Sequence, residues 1–383
     1  MPKYKEFIIN DLFEKVKTQT LKIKAGDIKG KHDNEYCLPA LTAGVINQGL
    51  AYYVPYKGAS VIQNAISVSA NGANSGVMYY QPHNFTVLQD SYAIKFKGFE
   101  PNAQQYLYLV TALQKTIRGN YSWTNKAGWE RIKYQKILLP ITSAGEIDFD
   151  YMGSYIRELE LARIRELEVY LKASGLSDYN LSADDLSFLD YVKRGGAETK
   201  PFMIGDLFYK LDLKFKKDKF DKTMDVSKAR NAEFNLPLVN AKHGDNGIMY
   251  FGRETDFDCA EMTIDIVGDG AISTGDVYPQ PQSTGVLYNA YLISPLWNSP
   301  NRKHLLYFSS VIHKSIKHKF GYDNKAGWNK VKEYFISLPV ASDGKPDYEY
   351  MENYISIKEK LAIKDVVEWM QKELESYHVV ITN

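Results

Sequence analysis

Only two cysteines occur in the 383 residues, Cys37 and Cys259, and they lie in different halves of the chain. That excludes a disulfide framework and a thiolate metal site, and it leaves the expectation of two buried free thiols. Apolar runs long enough to span a bilayer are missing, as is a basic-then-apolar secretory start. The reading is therefore a soluble, cytoplasmic protein without a membrane partner. Charge of one sign is missing too: 47 Lys and Arg stand against 46 Asp and Glu, a formal net of +1. As a sum this argues against a nucleic-acid partner, but a sum hides distribution.

Catalytic signatures are equally scarce. There is no Asn/Asp-Pro-Pro-aromatic tetrapeptide of an amino-methyltransferase, no phosphate loop and no His-rich metal spacing. Gly26-Asp27-Ile28-Lys29-Gly30-Lys31 is one residue short of a phosphate loop, and His32 follows its lysine. Gly268-Asp269-Gly270-Ala271-Ile272-Ser273 lacks the third glycine of a dinucleotide fingerprint. Both read as turns. Pro346-Asp347 could open a nuclease motif, yet Ser356, Lys358, Ala362 and Met370 stand two places before the lysines that follow, so no carboxylate pair is offered to a metal. The expectation is a chain with no catalytic residue, no metal and no cofactor.

What the chain does have is a copy of itself. Asn125-Lys126-Ala127-Gly128-Trp129 recurs letter for letter as Asn324-Lys325-Ala326-Gly327-Trp328. The landmarks around it return in the same order. Phe7, Asp11, Leu12 and Phe13 come back as Phe202, Asp206, Leu207 and Phe208, Leu38-Pro39 as Leu236-Pro237, Tyr92 as Tyr291, and Leu139-Pro140 as Leu338-Pro339. A period this long means duplicated domains, not a solenoid.

The copies share a charge pattern that the net value conceals. Lys15 to Lys31 holds six Lys against one Asp, and Lys115 to Lys136 six Lys or Arg against one Glu. In the second half Lys210 to Arg230 holds eight Lys or Arg against four Asp, and Lys314 to Lys332 six Lys against one Asp. Glu158 to Lys193, between them, carries eight acids and four bases. Matched basic stretches flanking an acidic middle are the expected footprint of two faces that meet phosphates.

Each half reads as a strand-rich α+β globule. Ala51–Val54, Ala65–Ser69 and Val77–Tyr80 are short β-branched and aromatic runs, with counterparts at Ile248–Phe251, Thr263–Val267 and around Val277-Tyr278. Ala103 to Thr116 and Arg302 to Ser315 have helical spacing. A longer apolar stripe follows each globule, from Met152 through Tyr155, Ile156 and Leu159 to Leu171, and from Met351 through Tyr354, Ile355 and Val366 to Leu374. Asp148 and Asp347 are placed as N-caps of these two helices, and stripes of this width predict that the helices pack on each other antiparallel.

Three motifs then carry a resemblance: Phe7-x-x-x-Asp11-Leu12-Phe13 with its repeat; Ile66-Ser67-Val68-x-x-Asn71-Gly72 before the Tyr79-Tyr80 strand; and the run from Trp129 through Ile132 to Ile137-Leu138-Leu139-Pro140 and Asp148, copied from Trp328 to Asp347. Their duplicated order, with helices between, resembles the DNA specificity subunits of type I restriction-modification systems and the related type IIB subunits. Gly145-Glu146-x-Asp148-x-x-Tyr151-Met152 and Leu171-Lys172-Ala173-Ser174-Gly175-Leu176 look closer to the type IIB branch, whose partner chains often fuse nuclease and methyltransferase. The resemblance implies two target recognition domains (1–147 and 200–346), two spacer helices (148–175 and 347–377) forming an antiparallel coiled coil, and a linker (176–199). It also implies a bipartite target in double-stranded DNA, with partners in a methyltransferase (modification) subunit and a restriction subunit. The chain itself would be non-catalytic.

Expected contacts in the first half are Lys22, Lys24, Lys29 and Lys31 near phosphates, Asn71 and Asn74 in the glycine-rich turn, and Ser122, Trp123, Asn125 and Lys126 before Trp129. In the second half they are Lys214, Lys216, Lys217, Lys219, Lys242, His243, Asp269, Tyr322, Asn324 and Lys325. An identical pentapeptide suits a shared role, such as phosphate clamping by Lys126 and Lys325 at a helix N-terminus, while the divergent residues before it suit sequence readout. Trp129 and Trp328 read as buried anchors. A rival from another class is a bivalent, non-catalytic protein-interaction scaffold whose lysine runs are merely solvated.

Overall fold

The Phe-x-x-x-Asp-Leu-Phe motif folds the same way twice in the computed structural model, which describes residues 2–19, 21 and 28–382. In the first copy β1 (Lys3–Ile8) ends in a single helical turn, α1 (Ile9–Leu12), that redirects the chain into β2 (Phe13–Lys15). Phe13 is thereby seated wholly inside the core, beside Ile9. The recurring aromatic and apolar letters mark packing, not contact with a ligand.

From there the first globule runs through β3 (Leu38–Leu41), β4 (Leu50–Val54), β5 (Ala65–Ser69), β6 (Met78–Gln81), β7 (Thr86–Val87), β8 (Ser91–Phe96), α2 (Ala103–Ile117), α3 (Trp129–Ile132) and β9 (Lys136–Ile141). Three sheets result, in the orders β2-β8-β5-β6, β4-β3-β7 and β1-β9. All five residues of β5 are buried because both its faces are covered. Ile66 and Val68 pack against α2 through Tyr106, Leu109 and Leu113. Ala65 faces the opposite way, into a cluster with Leu41, Ile62, Phe85 and Ala93. Asn102 caps α2 reciprocally with Gln105, whose backbone amide donates to its side chain.

The second globule repeats the plan with β10 (Thr199–Met203), α6 (Ile204–Leu207), β11 (Phe208–Lys210), β12 (Val226–Ser227), β13 (Leu236–Val239), β14 (Ile248–Gly252), β15 (Thr263–Val267), β16 (Val277–Gln280), β17 (Gly285–Val286), β18 (Ala290–Pro295), α7 (Arg302–Ile316), α8 (Trp328–Val331) and β19 (Phe335–Pro339). Its sheets are β11-β18-β15-β16, β12-β14-β13-β17 and β10-β19. The strand and helix positions agree with the sequence expectation to within a residue or two, and the α+β class stands.

Two long helices complete the chain, α4 (Phe149–Ala173) and α9 (Tyr348–Thr382). Asp148 and Asp347 cap them as expected, each accepting from the backbone amide three residues on, Tyr151 and Tyr350, at 2.9 Å. The chain forms two compact units, Met1–Val169 with Glu373–Asn383, and Tyr170–Lys372. Inside the first, Tyr377 donates its hydroxyl to the Arg157 carbonyl and the Glu160 carboxylate. Burial and the neighbouring Glu160 push the Tyr377 hydroxyl up to about 12.

Two expectations are corrected. Both cysteines are exposed, not buried. Cys37 and Cys259 sit in connections, each one residue outside a paired position, Leu38 of β3 and Ala260 of a bridge to Thr284, so their side chains face solvent. The acidic stretch within 176–199 is also more than a linker. It contains α5 (Ala183–Lys193), boxed at its start by Ser182 and Asp185 and held in the second unit by Lys360 to Asp185 (2.8 Å) and Phe188 against the Tyr350 ring (5.0 Å). Leu189 and Val192 of this helix are half-buried, whereas Leu186 is exposed.

Candidate functional site

In each globule three connections meet. The first joins β3 to β4 (42–49) or β13 to β14 (240–247), the second precedes β6 (70–76) or β16 (268–275), and the third precedes α3 (120–126) or α8 (319–325). In the first unit Asn74 donates to the Ala43 carbonyl (3.1 Å), tying the first connection to the second. Trp123 lies over Gly72, where a Cβ would come within 4.0 Å of the indole, tying the second to the third. In the second unit Lys325 pairs with Asp269, and His243 with Asp276 at 2.8 Å. Asn71, Asn74, Ser122, Trp123, Asn125 and Lys126 thus converge on one set of loops, and Lys242, His243, Asp269, Tyr322, Asn324 and Lys325 on the other.

The repeated pentapeptide proves to be a structural latch. Tyr92 donates its buried hydroxyl to the Ala127 carbonyl (2.8 Å), and Tyr291 does the same for Ala326 (2.9 Å). Both alanines are fully buried. Asn125 closes the loop with both ends of its amide, donating to the Asn120 carbonyl and accepting from Arg131 at 2.6 Å. Asn324 repeats this with Lys319 and Lys330. The two asparagines therefore shape their loops from within. Trp129 and Trp328 are half-buried and packed on the two cores, as anchors. The helices that follow are only four residues long, too short for a terminal dipole to hold an anion. Any clamp must come from side-chain charge.

Such charge is present in matched positions. A shallow depression in the second unit is lined by Lys210, Lys325, Gly327, Trp328, Asn329 and Lys330. Lys15, Lys126 and Arg131 occupy the corresponding places in the first copy. Lys15 lies over the Tyr92 ring and Lys210 over Tyr291, at 5.3 and 5.4 Å. What faces outward differs between the copies: Trp123 is 68% exposed and Tyr322 75%.

The other predicted lysines fare unequally. Lys22 and Lys24 lie outside the described residues. Lys29 pairs with Asp33 and covers the Tyr36 ring, and the Lys29 ammonium with the Tyr36 amide holds the Asp33 carboxyl down to about 2. Lys214 pairs with Asp212, Lys216 with Asp258, and Lys242 with Asp245. Lys217 bridges Asp225 (3.0 Å) and Asp256 (2.6 Å), two nearly buried carboxylates. Much of the second copy's basic stretch is thus neutralised internally, which the four Asp among its eight cations foreshadowed. Lys31, Lys126 and Lys219 are exposed and have no ion-pair partner among the described residues.

One cluster sequence reasoning missed. Asp276 accepts from Lys317 (2.6 Å), His243 (2.8 Å) and His313 (3.4 Å). Burial pushes its carboxyl up, but these donors outweigh burial and leave it below the usual range. The first copy has Val77, Arg118, Val45 and Gln114 at these places, so divergence at matched positions was the available signal. Among the described residues no group of His, Cys, Asp and Glu is arranged to hold a metal ion, and no helix is long and apolar enough to cross a membrane.

Comparison with known proteins agrees with this duplicated plan. Residues 1–169 and again 197–368 match the family described as type I restriction modification DNA specificity domain. The specificity subunit S.BcgI of a type II restriction enzyme from Heyndrickxia coagulans is 26% identical over 355 residues, 92% of this chain and 94% of that protein. The crystal structure of the S subunit of a type I restriction-modification system from M. genitalium superposes with a TM-score of 0.58 over 99% of this chain and 94% of that one. At 16% identity that likeness speaks for the fold.

Proposed function

Because the chain belongs to the family of type I restriction-modification DNA specificity domains, we propose that it is the specificity subunit that recognises a bipartite DNA target and brings its partners there. The partners are a methyltransferase subunit and a restriction subunit, and the chain itself performs no chemistry. Each globule docks on one half-site of double-stranded DNA. Lys15, Lys126 and Arg131 in the first, and Lys210, Lys325 and Lys330 in the second, contact phosphates and supply affinity. Lys31 and Lys219 extend the basic edge. Ser122 and Trp123, and Tyr322 with Asp269 and His243, face the bases.

The observation that carries this reading is the pairing of an identical latch with divergent outward residues in two copies. The same backbone platform is built twice, and the side chains it presents are different. That is what a bipartite, asymmetric target requires.

The two long helices act as the spacer that measures the distance between half-sites. Tyr377 of α9 meets Arg157 and Glu160 of α4, while Ser174 to Asp178 lines a groove with Ser356 to Ile363. An antiparallel coiled coil of the two helices is the arrangement this role calls for. The boundaries that follow are 1–147 and 200–346 for the recognition domains, with helices from 148 and 347.

A long-read methylome of the source organism with and without the gene tests the proposal. Loss of one bipartite methylated motif on deletion is the expected result. An unchanged methylome, with the gene expressed beside an intact methyltransferase, overturns it.

A further inference from the structure

The connection between β3 and β4 places three successive residues in the left-handed region, Asn47, Gln48 and Gly49, at φ 48°, 55° and 87°. Its copy does the same with Asp245, Asn246 and Gly247, at 44°, 54° and 76°. Two adjacent non-glycine residues at positive φ are unfavourable, and such strain persists only where the surroundings over-determine it. Here they do. Gln81 donates its side-chain amide to the Gln48 carbonyl (3.3 Å), and Gln280 to the Asn246 carbonyl (2.7 Å). Tyr79 donates its hydroxyl to the Val45 carbonyl (3.3 Å), and the Tyr278 hydroxyl accepts from the Gly244 amide (2.9 Å).

One clamp therefore holds both turns, but it holds different tips. In the first copy the tip is Val45 and Ile46, and Ile46 is 77% exposed. In the second it is His243 and Gly244, with Asp276 behind the imidazole. A rigid frame that spends strain to present a variable, solvent-facing tip beside the loops already described has the character of a reading element, not of core packing.

We propose that these two turn tips are specificity-determining elements of opposite chemistry. Ile46, an apolar side chain with no hydrogen-bonding group, covers the 5-methyl group of a thymine in the major groove. His243 presents a hydrogen-bond acceptor. Asp276 can only accept, so the Nδ1 hydrogen is committed to it, and in the tautomer this contact fixes Nε2 is the acceptor. That acceptor selects a base edge offering a hydrogen in the major groove, the amino group of adenine or cytosine. The inference rests on the specificity function proposed above.

The test uses the full chain in complex with its methyltransferase partner and selects bound duplexes from a randomised pool. Wild type, Ile46→Ser and His243→Ala are compared, with unfolding midpoints measured alongside. Ile46→Ser is expected to erase the preference for thymine at one position of one half-site and leave the other half-site intact. His243→Ala is expected to relax one adenine or cytosine position of the other. Deoxyuridine in place of the assigned thymine removes only the methyl group. It should weaken wild type about three- to fivefold and Ile46→Ser hardly at all. This probe needs no variant that could misfold. A sequence-specific wild type whose motif survives both substitutions, or which binds deoxyuridine and thymine equally at every position, overturns the inference while the function stands. A wild type that selects no motif overturns the function instead.

Discussion

Asp265 gives a prediction whose sign and size follow from its surroundings. It is fully buried in the centre of β15, opposite Tyr278, and neither carboxyl oxygen has a hydrogen-bond partner among the described residues. The corresponding residue of the first copy is Ser67, which donates to the Tyr79 carbonyl (3.3 Å) and accepts from Gln81 (3.2 Å). Burial, with the nearby Asp276 carboxylate adding to it, pushes the Asp265 carboxyl well above the usual range. The folded protein therefore holds it protonated, whereas the unfolded chain ionises it above about pH 3.9. For an acid whose folded-state value is raised, stability falls as pH rises above the unfolded value, and the loss levels off only beyond the folded-state value. Asp265→Asn keeps the shape and removes the titration. Each unit by which the folded-state value stands above the unfolded one removes about 1.4 kcal/mol from the wild type once the pH has passed it, a loss the amide does not share. The variant should be more stable than wild type by about 1–3 kcal/mol at pH 8, a rise of roughly 2–10 °C in the midpoint of a unit this size. Near pH 4 the two proteins should converge. Calorimetric melts at pH 4, 6 and 8 read the gap directly. A gap that does not change with pH, or a wild type that is the more stable at pH 8, would refute the argument.

Lys126→Ala should weaken binding to all DNA sequences alike and lower the slope of log affinity against log salt by about one, whereas a changed motif would count against a phosphate role. Tyr291→Phe removes the latch on Ala326 and leaves a buried carbonyl unpaired. A loss of about 1–3 kcal/mol in the second domain, with faster amide exchange across 319–325, is the expected outcome of denaturant titration and hydrogen exchange. Lys217→Ala should lower the unfolding midpoint of the second domain, since Asp225 and Asp256 lose a shared cation, while Lys219→Ala should leave it unchanged; equal midpoints for both variants would show that the bridge contributes nothing.

Much of this was legible in one dimension. The duplication, the strand at Thr263–Val267, the helix from Arg302 and the two Asp caps all follow from local rules of spacing and hydrogen bonding, and each lies where the sequence put it. The family resemblance came from the same order of features. Less visible was which side chains the repeated letters serve. Asn125 and Asn324 read as contacts from their place in a loop, but their amides turn inward because Arg131 and Lys330 lie six residues on, across a turn. Lysine runs likewise showed cations without showing that Asp225 and Asp256 would fold back onto Lys217.

By itself, then, the sequence determined the twofold plan, the elements and the class of partner, because periodicity, capping and internal repetition act over neighbouring residues. Tertiary structure alone decided the burial of Asp265, the exposure of Cys37 and Cys259, the docking of α5 on α9, and the clamping of the left-handed turns by Gln81 and Gln280. Each of these depends on residues tens to hundreds of positions apart meeting in space, where the environment of a charge or a turn is set by packing and not by its neighbours in the chain.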